Sequence, residues 1–514
     1  MYVKNVVGTL DDRLGTAHGV RKALDKAFPD NWSFMIGEVA LYCFVLLLAT
    51  GTYLTFFFSA SGREVTYRGS YAPLHGTRMT EAYRSTVDLS LDVRAGLLIR
   101  QMHHWAALLF LAAIILHLCR IFFTAAFRKP RELNWIIGVT LFVLALANGF
   151  TGYSLPDDLL SATGLRIAYS IARSIPLAGP YVATLFFGGP TVGPEVTGRL
   201  YIIHVLFIPG LIVALLGAHL GILWRQKHTQ FPGRGRKEHN VVGSRLWPTY
   251  AARSVSLLFI VSAMVAALGG LAQINPIWLY GPSSAGAVST QAQPDWYLGW
   301  TEGALRMVPA IRFHVFGYRF PEVFFPGVLI PGVTILAIYA WPFIERRLTG
   351  DREAHHLLDR PRDRPWRTGL GAGVLAFYIV MFGAGGEDIW ASQLGVSVIP
   401  VRTAFRIALF VIPPLVGLFT AKVCRDLAAA VPRSKAFELG EPAAGPAEDE
   451  DVGDVSEGGA DPGDGDDGSG PLGGHGAEAA AVAAAAGGAA AGVLGYRWGR
   501  RRPKVIRVER RSTD

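Results

Sequence analysis

Eight runs of apolar residues, each close to the length of a membrane-spanning helix, dominate this 514-residue chain. A hydrocarbon layer about 30 Å thick needs about 20 such residues per helix. On that basis the spans fall near residues 34–58, 97–123, 135–153, 200–224, 255–271, 323–343, 370–382 (slightly extended) and 404–423. The expected fold class is therefore an all-α polytopic membrane protein. Only 17% of residues are charged, against about 25% in soluble proteins. That excludes an ordinary cytoplasmic enzyme and a disordered scaffold. Cys43, Cys119 and Cys424 all lie in apolar stretches, which excludes a disulfide framework and a thiolate zinc site. The segment 1–31 is mixed and charged, so no cleavable signal peptide is expected.

A net charge of +9 in a soluble protein would suggest nucleic acid. Here the basic residues concentrate in alternate loops: Arg128, Lys129 and Arg131 after span two, Arg225 to Arg245 after span four, and Arg346 to Arg367 after span six. No nucleic-acid partner is expected, and both termini are expected in the cytoplasm of a cell whose plasma membrane the chain crosses. The expected organisation is a cytoplasmic segment 1–32, a four-helix bundle 33–245, a second four-helix membrane domain 246–430, and a tail 431–514. Residues 441–470 are mainly Gly, Pro, Asp and Glu, a composition that buries too little apolar surface to fold alone; the Ala/Gly run 477–495 before the basic end is read as disordered or marginally helical, with a weak ninth helix as the alternative. The loop 346–367 reads as solvated.

Histidines inside membrane spans are functional candidates by default. In span two, His103 and His117 are fourteen residues apart, about 40° apart around the helix. In span four, His204 and His219 are fifteen apart, about 60°. Each pair shares one face, its members about 21–23 Å apart along the axis. His103 and His204 thus share the outer leaflet, and His117 and His219 the inner. Two levels with two imidazoles each is the ligand set for two stacked, bis-histidine haems. His104 lies about 140° from His117 and points elsewhere. Glycines repeat the spacing, with Gly37 and Gly51 in span one and Gly138 and Gly152 in span three; small residues let a flat ring or another backbone come close. Arg100, Arg120 and Arg199 stand near the histidines as cationic partners for haem propionates. Histidines that merely hydrogen-bond between helices, and glycines that merely pack helices, are the plainer readings.

These residues resemble the cytochrome b subunit of the bc1 (quinol–cytochrome c reductase) complexes, over roughly residues 31–425. The motifs are Gly96-x3-Arg100-x2-His103-x13-His117-x2-Arg120, Arg199-x4-His204-x14-His219, Gly152-Tyr153-Ser154-Leu155-Pro156 and Pro294-Asp295-Trp296-Tyr297. The x14 spacing is similar to the bacterial and b6-like branch, and an unsplit chain with a long tail to bacterial subunits that oxidise menaquinol. The resemblance implies two non-covalent b haems, the outer of low potential and the inner of high potential. It implies quinol oxidation at an outer pocket and quinone reduction at a cytoplasmic one, a Q-cycle that moves protons. It implies as partners a Rieske iron–sulfur subunit, a cytochrome c (including a dihaem form), subunits of a terminal oxidase, and a second copy of the complex. The chain itself has no Cys-x-x-Cys-His and no iron–sulfur cysteine cluster, so partners must supply both centres.

Asp295, Tyr297, Glu302, Tyr153 and Pro294 are the residues expected at the outer quinol pocket. Relatives usually have Glu where Asp295 stands, one methylene longer, so Glu302 is a candidate to share the proton-accepting role. A helix through this stretch would put Asp295 and Glu302 on one face. Asp157 and Asp158 replace the usual Trp after Leu-Pro and could bind protons, water or a partner, or simply be solvated. In b6-type relatives a cysteine on span one holds a further haem, two turns before Cys43, where this chain has Met35; no covalent haem is expected. The inner quinone pocket is expected at the cytoplasmic ends of spans one, four and five, with Lys237, Glu238 and His239 as proton sources. Two other readings stand beside this one: a dihaem anchor or b561-type relay, and a proton-coupled transporter without haem.

Overall fold

The computed structural model describes residues 17–430 except 285 and 288–292, together with Arg13 and Gly15. The tail expected from residue 431 lies outside the described residues. Among the described residues, eight helices long and apolar enough to cross a membrane follow one another: Trp32–Thr55, Gly96–Phe123, Glu132–Tyr153, Val196–Gln226, Leu246–Leu271, Phe325–Thr349, Pro365–Gly385 and Val398–Ala429. All eight expected spans are present. The protein is a multi-pass, helical membrane protein. Shorter helices at Glu81–Leu91, Leu159–Arg173, Gly179–Phe187 and Gly299–Met307 lie between them. The only strands among the described residues form three two-stranded ribbons, such as Glu64–Thr66 against Arg78–Thr80.

Spans six, seven and eight extend beyond the apolar runs that mark them. One buried ion pair accounts for two of these extensions. Arg367 is 1% exposed and donates through Nη1 to Glu345 Oε1 at 2.6 Å and through Nη2 to Asp359 Oδ2 at 2.8 Å. A hydropathy count ends span six before Glu345 and starts span seven after Arg367. Each residue neutralises the other, so both remain in their helices. At the start of span eight, Arg402 similarly meets the buried Glu387, Nε to Oε2 at 3.0 Å.

The loop expected to be solvated, 346–367, is instead part of the packed structure. Gln230 and Leu358 are fully or nearly fully buried. The N–H of Leu358 donates to the Gln230 carbonyl at 2.8 Å, and the N–H of Gln230 to the His356 carbonyl at 3.1 Å. Arg128 and Arg131 reach the carbonyls of Leu357 and His355 at 3.0 and 2.7 Å. The basic residues between spans two and three therefore satisfy backbone groups of the loop between spans six and seven, groups that would otherwise be buried unpaired.

Span four contains a π-helical turn at Ile203–Phe207, closed by the Ile208 N–H on the Ile203 carbonyl and followed by Pro209. A π turn holds one residue more than an α turn. The fifteen-residue step from His204 to His219 therefore subtends about the rotation that fourteen residues give in span two, and the two histidine pairs match in phase.

Span one packs on span two, and both pack on span five. Cys43 is wholly buried there with Ala106, Val261 and Val265. At Gly269 of span five the helix comes so near span two that an added Cβ would lie 3.0 Å from the Met102 backbone nitrogen.

Candidate functional site

Spans one to four contribute most of the wall of an open cavity of about 620 Å³. Arg100, His103, His104, Tyr153 and His204 line it, and so do Asp295 and Tyr297 from the segment after span five. Both halves of the chain therefore build one site.

The imidazoles of His103 and His204 approach edge-on, with ring centroids 6.1 Å apart and ring planes at 76°. That gap accommodates two imidazole–metal bonds of about 2 Å each. The other nitrogen of each ring is already engaged. Thr50 Oγ1 donates to the Leu46 carbonyl at 2.6 Å and so accepts from His103 Nδ1 at 2.9 Å. His204 Nδ1 donates to the Asn148 carbonyl at 3.0 Å. Both rings thus carry the proton on Nδ1 and present the Nε2 lone pair, which is how a neighbouring acceptor prepares an imidazole for a metal.

Each of the four glycines lies against one histidine. A Cβ at Gly37 would stand 3.1 Å from His117 Cε1, at Gly51 3.0 Å from His103 Cε1, and at Gly138 3.5 Å from His219 Cε1. At Gly152 it would overlap the His204 ring. Spans one and three are thereby indented where spans two and four project their imidazoles. The close approach that the glycines permit is that of the histidine ring itself. The pairings separate by depth: Gly51 and Gly152 serve one level, Gly37 and Gly138 the other.

Arg100 and Arg120 retain buried donors with no protein partner. Arg100 gives Nε to Ser90 Oγ at 3.0 Å, while its Nη2 has none. Arg120 lies over the Phe34 ring, 4.2 Å from its centre, with Nε and Nη2 unpaired. Buried unpaired guanidinium donors are costly, and both stand beside histidine levels where an anionic group would satisfy them.

Arg199 does not join them. Its guanidinium caps the helix Gly179–Phe187, donating to the Thr184 and Leu185 carbonyls at 2.9 and 2.7 Å. Glu302 is likewise elsewhere. It lies in the first turn of Gly299–Met307 and is held by Arg306 at 2.9 Å. Asp295 precedes that helix, so the two acids do not share a helical face, and neither Glu302 nor Pro294 lines the cavity.

Asp158 caps the helix Leu159–Arg173, accepting from the Leu160 and Ser161 N–H groups at 3.1 and 3.4 Å. Burial pushes its carboxyl up, against the pull of these bonds. Glu238 accepts from the N–H groups of His356 and of Leu357, the latter at 2.9 Å. It is thus occupied in holding a loop.

Two residues escaped the sequence reading. His104, set aside as pointing away, lies in the cavity wall with Nε2 2.9 Å from Asp295 Oδ1. Glu38, one residue after Gly37, gathers Tyr250, Ser254 (2.6 Å) and Tyr42 (3.4 Å) between spans one and five. An acid at the start of an apolar run was the available signal for Glu38. For His104 the signal was its place in an apolar span, while its partner could not be read without knowing where Asp295 lies.

The chain matches the family model described as cytochrome b (N-terminal)/b6/petB over residues 108–282. It is 47% identical over 422 residues to the cytochrome bc1 complex cytochrome b subunit of Corynebacterium efficiens, covering 82% of this chain and 78% of that one. The corresponding subunit of Streptomyces coelicolor is 46% identical over 424 residues, 82% and 78% of the two chains. That of Mycobacterium tuberculosis is 47% identical over 419 residues, 81% and 76%. A chain of a hyperthermophilic respiratory Complex III superposes with a TM-score of 0.60 at 18% identity, covering 81% of this chain and all of that one. With this extent of identity, the protein belongs to the cytochrome b subunits of the cytochrome bc1 complex, the electron-transferring membrane components of an oxidoreductase assembly.

Proposed function

We propose that this chain holds two b haems, one between His103 and His204 and one between His117 and His219. Arg100 and Arg120 are the partners of their propionates. The observation that carries the reading is the pair His103 and His204, 6.1 Å apart with both Nδ1 atoms engaged. Bound there, the haems supply two one-electron carriers in series across the membrane. The protein supplies the ligands, the glycine recesses that admit them, and the cationic contacts.

Quinol is oxidised in the cavity beside His103, where Asp295 accepts a proton and Tyr153 and Tyr297 shape the wall. Quinone is reduced at the level of His117, near Glu38, Tyr42 and Tyr250. With a Rieske iron–sulfur subunit and a cytochrome c subunit as acceptors, this is a proton-translocating quinol–cytochrome c reductase, operating by a Q-cycle on menaquinol in a dimeric complex. The basic loops at the His117 end support a cytoplasmic location for that end. A dihaem anchor needs only spans one to four, whereas here the segment after span five lines the same cavity as His103.

Redox difference spectra of the purified complex test this. The expected result is two b-type signals titrating separately, with His117→Leu removing one and sparing the other. A single b-type signal, or loss of both in an otherwise folded His117→Leu complex, overturns it.

A further inference from the structure

Asp is a favoured residue at the start of a helical turn because its carboxylate can accept the turn's free N–H groups. Asp295 occupies that position before the turn Trp296–Leu298, yet its side chain makes no capping bond. The carboxylate turns instead to span two, 191 positions away in sequence. His104 Nε2 lies 2.9 Å from Oδ1 and 3.1 Å from Oδ2, and the Tyr297 hydroxyl donates to Oδ2 at 3.2 Å. His104 and Asp295 are 18% and 10% exposed, and both face the cavity.

Span two is fixed at this depth by its neighbours. The Gln101 side chain exchanges two hydrogen bonds with the Ile274 backbone at 2.8 and 2.9 Å, and Trp105 Nε1 donates to the Ala272 carbonyl at 2.7 Å. His104 therefore projects from a rigid wall toward a loop acid whose side chain has a competing local use. Tyr297 is itself braced, because a Cβ at Gly149 would stand 2.6 Å from its hydroxyl oxygen.

From this we infer that His104 is a positioning residue for quinol oxidation. Its Nε2–H holds the Asp295 carboxylate in the cavity and keeps it from relaxing onto the N–H groups of its own turn. The short aspartate needs this help because it can reach its own backbone more easily than a longer acid. The inference rests on the reading of the cavity as the quinol site, and the role belongs to hydrogen-bond geometry.

The test uses the intact purified complex, a soluble naphthoquinol as substrate, and haem content from redox spectra. Leu at position 104 removes the donor, Gln restores one near the place of Nε2, and Asn places one a bond short of it. His104→Leu is expected to keep both b-type signals, leave KM within about twofold and lower kcat about tenfold. His104→Gln should recover to within about threefold, and His104→Asn should not. The double variant His104→Leu, Asp295→Asn should be no slower than Asp295→Asn alone, because both act through one carboxylate. Wild-type turnover in His104→Leu overturns the inference, as do multiplying effects in the double variant. Equal rates in the Gln and Asn variants also overturn it, and that contrast decides the matter if the Leu variant fails to assemble. Wild-type turnover in Asp295→Asn overturns the reading of the quinol site as well, whereas a slow Asp295→Asn beside a fast His104→Leu overturns this inference alone.

Discussion

Two sets of glycines in the membrane domain meet different neighbours. In spans one to four, Gly37, Gly51, Gly138 and Gly152 each face a histidine ring. They leave recesses in the helix surface into which a neighbouring span projects a side chain. In spans seven and eight, Gly369 and Gly417 face each other's backbone, and a Cβ at Gly369 would stand 2.6 Å from the Gly417 carbonyl oxygen. Gly373 similarly approaches the Pro413 carbonyl, at 3.0 Å. Within a bilayer the hydrophobic effect does not drive helices together, so close backbone contact supplies the adhesion. One set leaves room for a neighbour's imidazole, and the other brings two helix backbones together.

The comparison can be broken first at Gly152. Gly152→Ala forces a methyl group into the His204 ring and should abolish one b-type redox signal. Gly138→Ala, with 3.5 Å of clearance from His219, should keep both signals. Equal haem loss in the two variants would mean that the recesses do not act individually.

Next in size is the ion pair that anchors the second half. Arg367→Ala leaves Glu345 buried without its cation, a loss of about 3–5 kcal/mol. It should appear as a lower unfolding midpoint of the complex with both b-type signals intact at low temperature. Gly369→Ala should act in the same direction and more weakly, because spans seven and eight can separate slightly. A selective loss of one haem signal in either variant would erase the difference between the two regions. The smallest effect is expected at Arg199. Since its guanidinium is committed to the carbonyls of Thr184 and Leu185, Arg199→Gln should leave both haem signals and their midpoints unchanged; a shifted midpoint would return Arg199 to the cofactor.

Much of the site was legible because a membrane makes polarity conspicuous. Histidines and arginines within apolar runs stand out, and helical periodicity assigns them to faces and depths. One helix through the whole stretch would put Glu302 on the face of Asp295, whereas Asp295 is extended and the helical residues begin after it. Proximity of Arg199 to His204 in sequence does not reveal that the carbonyls of Thr184 and Leu185 meet its guanidinium. Charge alone makes the loop 346–367 read as solvated, because it does not reveal that the Arg367 guanidinium pairs with both Glu345 and Asp359.

By itself the sequence determined the eight spans found among the described residues, the histidine pairs and the glycines beside them, since hydropathy and helical phase are local properties. Only the tertiary structure decided that a π turn brings the fifteen-residue pair into register with the fourteen-residue pair, because that depends on where the extra residue is absorbed. It alone decided that His104 meets Asp295. Hydrogen bonds between segments far apart in sequence leave no periodic trace, so packing alone reveals which side chains they join.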